Sequence, residues 1–338
     1  MNLLSHLLHR LNQPEPQPFQ DTIFLRFIAV LLITNSHLDG LYPIPGLASG
    51  GALGNAIFFM LSGLGLALSS QHRPPERFLS WFSARATRIY PTLWISLVAL
   101  SLIHPVPWPG QGMFALIQGL FYPTPFWFIA ALMLFYGLLY PILKAQPKPR
   151  TILTLIAGLC LPYFYIYCTR LNLSGFVIED SSQFKWLFYF QIMLYGVWLA
   201  HRYPQIKKPT VRDSIRLLSG LLLYVGLKFL IAHGTFSTFQ FLIHWLTFPL
   251  LYYGLKVAQA PCITRWLSAR YSGACLTFLG TCTLEIYLLQ HQLYTLPWLK
   301  PLGFPLGLLC FWGMLLPLAY VAHRASTPLQ RLLGRSIA

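Results

Sequence analysis

The segment from Asp21 to Leu38 is an apolar run that carries two ionisable side chains, Arg26 near its start and His37 near its end. In a regular helix their spacing corresponds to three full turns plus ~20° and a rise of ~16 Å, so both should lie on one face. Exposing such groups to lipid is costly, and we expect them to face a polar cavity inside a helix bundle. Alternatively, Arg26 extends to the headgroups and His37 lies in the opposite interface.

The composition is that of a membrane protein. Of the 338 residues, 56% are hydrophobic and only 9% are charged, whereas about a quarter of the residues in soluble domains are charged. A span needs ~20 mostly apolar residues. We therefore predict an all-α integral membrane protein, a bundle of about ten transmembrane helices. The ten runs are approximately 22–38, 52–69, 89–103, 127–143, 151–168, 186–200, 215–232, 239–255, 275–293 and 305–322.

The basic residues predict the topology. A net charge of +16 would suggest nucleic-acid binding in a soluble protein, but here the cations lie in short loops beside apolar runs. If the N-terminus is inside, the outer loops keep only Arg170, Lys185 and Lys300. The positive-inside rule then places both ends in the cytoplasm. We predict a cytoplasmic segment over 1–20, one membrane domain over 21–323 and a cytoplasmic tail over 324–338.

Several classes of enzyme lack support in the sequence. No GxSxG, HExxH or Walker motif occurs, and no pair of acidic residues has the spacing of a glycosidase or aspartyl-protease site. The six cysteines are scattered without metal-ligand spacing, which predicts unbridged, packed thiols and no metal site. Because the sequence predicts one membrane domain and no appended catalytic domain, we expect the transmembrane bundle itself to carry any chemistry.

Two further stretches have a pattern of interest. Ser62, Gly63 and Gly65 are small residues that let helices approach closely. Arg85 and Arg88 are three residues apart on one helix face, just before Tyr90. A cationic pair at a cytoplasmic surface suits phosphate groups, although such arginines also serve simply as positive-inside anchors.

Together these residues resemble the acyltransferase-3 family, which comprises integral membrane O-acyltransferases. Arg26 and His37, with ten residues between them, match the family's Arg-x10-His signature. Four other pieces follow in the family's order: FFMLSG at 58–63, ARATRIYP at 84–91, FWFIAALMLFYGLLYP at 126–141 and FLGTCTLEIYLLQHQL at 278–293. The resemblance covers nearly the whole chain.

The resemblance implies a reaction across a bacterial inner membrane. The donor would be cytoplasmic acyl-CoA, usually acetyl-CoA, and no cofactor would be bound permanently. The acceptor would be a hydroxyl of a capsular, exo- or lipopolysaccharide glycan or of its lipid-linked precursor. The family's essential residues map onto His37 and Arg26, and its acyl-CoA-binding residues onto Arg85, Arg88 and Tyr90. His37 would act as a general base or carry the acyl group itself.

The chain departs from the family in its ninth run. Members often carry Tyr-Leu-x-His there, but Gln290 takes the histidine position and His291 follows one residue later. That shift turns His291 by ~100°, so we expect His291→Ala to have a mild effect. Glu285, within the same run, needs a partner such as a buried arginine or Tyr287. Asp39 could orient His37 or cap the helix end. The pore-lining or supporting candidates are Asp39, Ser62, Trp127, Glu285, Tyr287 and His291.

Two other functions fit a basic bundle with a polar interior. One is a transporter or flippase for an envelope polysaccharide or lipid intermediate, and the other is a scaffold for an envelope biosynthesis complex. Transporters often contain inverted repeats and helices broken at matching positions. The sequence shows no such symmetry, which favours the enzyme.

The predicted topology can be tested with reporter fusions. Fusions after Arg77, Lys148 and Arg265 should report the cytoplasm, because each position follows or lies among basic loop residues. Fusions after Leu173 and Leu299 should report the opposite side. A reversed signal at any of these positions would contradict the ten-span topology.

Overall fold

All regular secondary structure in the described residues is helical. The computed structural model describes residues 20–103, 112–121, 126–179, 182–206 and 209–335, so the predicted N-terminal segment lies outside them except for Gln20. The helices in these ranges are α1 Gln20–Asn35, α2 Gly51–His72, α3 Phe78–Ile103, α4 Met113–Phe121, α5 Trp127–Lys144, α6 Pro149–Arg170, α7 Ser182–Arg202, α8 Val211–Ala232, α9 Phe241–Val257, α10 Pro261–Ser268, α11 Arg270–Thr281, α12 Thr283–Tyr294 and α13 Leu306–Arg335.

The protein is a multi-pass membrane protein. Five helical segments of the described chain are long and apolar enough to cross a bilayer: Pro45–His72, Trp127–Lys144, Pro149–Arg170, Val211–Ala232 and Leu306–Gly334. The number rises to seven if α9 with α10 and α11 with α12 each count as one broken span. Helix α1 is a shorter apolar helix. Length and composition thus give five to seven spans, fewer than the ten drawn from the sequence.

Three predicted runs differ markedly from the helices that form. The third run, 89–103, is only the later part of α3, which begins at Phe78. The ninth run, 275–293, is interrupted at Cys282, where α11 ends and α12 begins. The tenth run, predicted to end at residue 322, continues to Arg335. The Gln330 side chain in this extension donates to the Arg88 carbonyl oxygen at 3.2 Å and to the Thr92 hydroxyl at 2.8 Å. These bonds hold the end of α13 against α3, so most of the predicted tail is helix.

The chain forms two compact units, and the first comprises residues 1–29, 56–68 and 148–281. Helix α6 packs against α7, and α8 packs against α9. The buried Asp213 carboxylate accepts bonds at the start of α8 and pairs with Lys256 of α9 at 2.8 Å. The outer face of α8 is apolar and exposed, including Leu222 and Phe229. A face of this kind is expected to contact lipid.

The second unit comprises residues 30–55, 69–147 and 282–338. Its centre is formed by α3, α12 and α13, which all contact one another, and α5 packs against α3. Tyr287 of α12 is buried, with its ring centroid 5.4 Å from that of Phe128 and 6.3 Å from that of Phe126. This packing orients α12, which carries three of the candidate site residues, Glu285, Tyr287 and His291.

The small residues of α2 contribute unequally to packing. A Cβ atom added at Gly63 would overlap the Met193 carbonyl oxygen of α7, and one added at Gly196 would overlap the Met60 carbonyl oxygen of α2. A Cβ at Gly65 would meet no atom of the described residues within 4 Å. The expected close approach therefore occurs at Gly63 and not at Gly65.

We predict that Gly63→Ala destabilises the protein, because the backbones of α2 and α7 must separate to admit a methyl group. Overpacking of this kind costs about 1–3 kcal/mol. Gly65→Ala is the matched control and should be neutral or slightly stabilising, since alanine favours a helix by up to ~1 kcal/mol over glycine. Thermal unfolding in detergent measures both variants. Equal melting temperatures for the two would contradict the packing assigned to Gly63.

Candidate active site

The first helix ends before His37. Helix α1 stops at Asn35, and the His37 amide donates to the Thr34 carbonyl oxygen at 3.1 Å in a tight turn. The Asn35 amide donates to the carbonyl oxygens of Leu47 and Ser49 at 2.8 and 3.1 Å. The Asn35 side chain thus bonds the following loop at the point where the helix stops. The sequence expectation that His37 continues the helical face of Arg26 is therefore wrong.

Arg26 lies in the second turn of α1, within the first unit, and its side chain is exposed. Ser62 lies on α2 in the same unit and is partly buried. His37 belongs to the second unit, as do all the other candidate residues named from the sequence.

His291 lies beside His37. The two ring centroids are 6.1 Å apart and the ring planes meet at 78°. His37 is partly buried and His291 is exposed, whereas Gln290 is buried with 1% exposure. The one-residue shift therefore brings His291 to His37, contrary to the expectation that it turns the imidazole away. Both positions lie in the same helix, Thr283–Tyr294, so the ~100° turn is real. The spacing alone did not tell which of the two faces meets His37.

Asp39 holds the turn that contains His37 against the end of α12. The Tyr294 hydroxyl donates to the Asp39 carboxylate at 2.6 Å and accepts from the Gly40 amide at 3.0 Å. The Lys300 ammonium lies 4.8 Å from the centroid of the Tyr294 ring. The hydrogen bond from Tyr294 holds the pKa of Asp39 below its ordinary value, so this carboxylate is ionised at neutral pH.

The surroundings of His37 favour the neutral imidazole. Burial lowers its pKa from the ordinary value of 6.5, and the nearby His291 lowers it further, while the Asp39 carboxylate acts in the opposite direction. A neutral imidazole can accept a proton, which is what a general base requires. The site therefore pairs a neutral histidine with a second imidazole and a nearby fixed negative charge.

The two arginines of α3 differ in environment. The Arg85 guanidinium lies 4.2 Å from the centroid of the Trp81 ring, and its Nη1 donates to the Trp81 carbonyl oxygen at 2.7 Å. Arg88 is exposed. The Tyr90 hydroxyl donates to the Phe121 carbonyl oxygen of α4 at 3.0 Å, and its ring stacks on Trp94. The phenol of Tyr90 thus holds α4 to α3, whereas Arg85 is oriented by an aromatic platform.

The partner of Glu285 is a residue that the sequence did not identify. Nδ1 of His323, on α13, lies 2.9 Å from Oε1 of Glu285, in place of the arginine or Tyr287 that we expected. His323 immediately follows residue 322, the predicted end of the tenth run, so the sequence pattern does not place it in the interior. The remaining candidate, Trp127, begins α5 and is partly buried.

Comparison with known families gives a match over most of the chain. A family model described as an acyltransferase domain, Acyl_transf_3, matches residues 21–324 of the 338. Comparison with curated proteins and with solved structures gave no match.

We predict that His37 titrates below pH 6.5 and that its neighbours shift its pKa in opposite directions. Asp39→Asn should lower the pKa of His37 further, because it removes the negative charge that favours the imidazolium. His291→Gln should raise it, because it removes a competing cation. NMR of histidine-labelled protein follows these titrations, with His37→Gln assigning the signal. Shifts of the opposite sign, or no shift in either variant, would contradict this electrostatic description.

Proposed function

Because the chain belongs to the acyltransferase-3 family, we propose that it is a membrane O-acyltransferase that uses acyl-CoA as donor. The acyl group is acetyl, the usual choice of the family, and the acceptor is a hydroxyl of a cell-envelope glycan or its lipid-linked precursor. The observation that carries the proposal is the position of His37, a partly buried imidazole with lowered pKa beside His291 and the fixed Asp39.

The proposed chemistry begins at His37. The imidazole takes the proton of the acceptor hydroxyl as its oxygen attacks the thioester carbonyl, so that a C–O bond forms and the C–S bond breaks. The proton returns to the departing thiolate, which leaves as CoA. General-base catalysis of this kind contributes about 10²–10⁴-fold in rate. In a second route His37 takes up the acyl group before passing it to the hydroxyl.

Two further groups support this step in our proposal. The ring centroid of His291 lies 6.1 Å from that of His37, and His291 opposes protonation of His37 before the acceptor binds, which keeps His37 available as the base. Arg26 enters the proposal on the family's signature alone, as a side chain whose guanidinium is permanently charged.

The donor enters, in our proposal, at the α3 end of the second unit. Arg85 and Arg88 bind the CoA phosphates there, and the Trp81 stack holds the Arg85 guanidinium in place.

The distance from this end of the unit to His37 follows from two helices. Along α12, Glu285 and His291 are six residues apart, and along α13, His323 and Gln330 are seven residues apart. At 1.5 Å per residue, and with Glu285 and His323 in contact, these two spacings add up to about 20 Å along the helix axes. That is the separation between Arg88, whose backbone Gln330 bonds, and His291. The donor's long arm, or a transfer of the acyl group, must cover that distance.

We further propose ten spans in a bacterial inner membrane with both ends cytoplasmic. The charge asymmetry of the loops supports this orientation. It places Arg85 and Arg88 beside the cytoplasmic donor and His37 toward the acceptor on the far side. One acyltransferase domain then fills the chain between a short N-terminal segment and a short tail.

We predict that His37→Ala lowers acyl transfer by at least ~10²-fold without preventing membrane insertion or acyl-CoA binding. His37→Gln should be nearly as inactive, because an amide cannot take the proton. In view of its position, His291→Ala should lower transfer by ~10-fold rather than leave it unchanged. Acetylation of the native glycan in a deletion strain, at matched membrane abundance, measures each variant.

His233→Ala is the matched control, since His233 is an exposed histidine at the end of α8 in the first unit. It should retain full activity. Substantial acetylation by His37→Ala would contradict the catalytic assignment and would favour transport or a scaffold role.

We predict that replacing Arg85 and Arg88 with glutamine weakens acyl-CoA binding by ~10-fold or more, because two charge-assisted contacts to phosphate are lost. Lysine at both positions should rescue only partly, since it cannot stack on Trp81 as a planar guanidinium does. The double change of Arg73 and Arg77 to glutamine removes the same charge from the adjacent exposed loop and should leave binding unchanged. Calorimetry with purified protein measures the affinity of each double variant for acyl-CoA. Equal affinity for the two would show that Arg85 and Arg88 serve only as a topology anchor.

A further inference from the structure

Three side chains with metal-ligand chemistry meet where α12 packs against α13. They are Cys282 at the start of α12, Glu285 in its first turn and His323 on α13. One ligand atom from each, a sulfur, a carboxylate oxygen and an imidazole nitrogen, lies within 4.8 Å of the other two. Cys282 and Glu285 are buried, with 1% and 3% exposure. No part of the proposed acyl transfer uses this cluster.

The carboxylate in the cluster is incompletely satisfied. Oε1 of Glu285 is bonded to His323, but Oε2 is buried and has no hydrogen-bond partner among the described residues. An ionised carboxylate accepts several hydrogen bonds, and leaving a buried charged oxygen without one is unfavourable. A cation at this point would remove that defect.

We propose that Cys282, Glu285 and His323 bind a divalent transition-metal ion, Zn²⁺. A thiolate and an imidazole select zinc over magnesium or calcium, which prefer all-oxygen sites. Binding leaves the net charge of the cluster unchanged. The carboxylate, a protonated His323 and a neutral thiol sum to zero, and so do Zn²⁺, the carboxylate, a neutral imidazole and a thiolate. The metal replaces two protons, which are released to water.

The cluster needs little rearrangement to accept the ion. Two ligands at ~2.0–2.3 Å from tetrahedral zinc lie ~3.3–3.7 Å apart. The Nδ1–Oε1 distance of 2.9 Å is therefore slightly short, and the remaining separations, all within 4.8 Å, need to close only modestly. The His323 side chain is 37% exposed, which gives the ion a path to the site. A fourth position remains open for water.

The bound metal would join α12 and α13, which make contacts at different ends of the second unit. Helix α12 carries His291 beside His37, and α13 carries Gln330, which bonds the backbone of Arg88. Zinc at the contact between these helices would fix their register. The site is thus expected to stabilise the unit rather than to take part in the chemistry.

The test uses Co²⁺ as a spectroscopic substitute for zinc, followed by competition with Zn²⁺. The full chain carries no histidine tag and has its exposed cysteines, Cys168, Cys262 and Cys275, replaced by serine. We expect one equivalent of Co²⁺ with a thiolate-to-cobalt charge-transfer band that Zn²⁺ abolishes. Cys282→Ser should remove the band, and His323→Gln should weaken metal binding at least tenfold. Zinc should raise the melting temperature of the parent chain but of neither variant.

The matched control is Cys310→Ser, which removes a thiol from α13 outside the cluster and should leave the band intact. Size-exclusion chromatography establishes that each variant is folded. If Cys282→Ser does not fold, protection of Cys282 from alkylation by added zinc, read by mass spectrometry in the parent chain, decides instead. Three outcomes would overturn the proposal. They are a charge-transfer band that survives Cys282→Ser, a parent chain that gives no band, and alkylation of Cys282 that zinc does not slow.

Discussion

The second unit depends on how a carboxylate is accommodated inside an apolar bundle. A buried charge without a partner is strongly destabilising, and Glu285, with 3% exposure, obtains its partner from His323 on the last helix. That contact sets where α12 and α13 touch. Gln330, two turns further along α13, then bonds the backbone of α3 at Arg88. The contact between Glu285 and His323 thus contributes, together with the Gln330 bonds and the packing of Tyr287, to the arrangement of the three helices.

The same requirement explains how a chain with only eight acidic residues uses them. Asp39 accepts a hydrogen bond from Tyr294, Glu179 pairs with Lys228 at 2.7 Å, and Asp213 pairs with Lys256. Each of these contacts joins parts of the chain that are distant in sequence. In a protein whose helix surfaces are otherwise apolar, such polar contacts supply specificity that hydrophobic packing alone does not. The carboxylate of Asp39 has a further effect, because it acts on the protonation of His37.

The sequence predicted the helical class, the family and most helix positions, because long apolar runs and an ordered set of motifs carry that information. Runs 127–143, 151–168 and 215–232 became α5, α6 and α8 with small changes at their ends. It did not predict that α1 stops at Asn35, because the cause is a set of bonds from the Asn35 side chain to loop carbonyls twelve and fourteen residues away. Nor did it identify His323 as the partner of Glu285. The two residues are 38 positions apart, and only their packing brings them together.

The displaced histidine of α12 shows that a one-residue shift changes the face of a helix but does not tell which face meets the site. Gln290 and His291 both lie within the unbroken helix Thr283–Tyr294, so the ~100° turn between them holds. That turn brings His291 toward His37 and not away from it. Once α12 begins at Thr283, its rotation is determined by burial of Glu285 and Tyr287. Those two residues place Gln290 in the interior and leave His291 at the exposed edge, beside His37. In this chain, therefore, the packing of Glu285 and Tyr287 decides which residue of α12 can assist His37, and the spacing of the family motif alone does not.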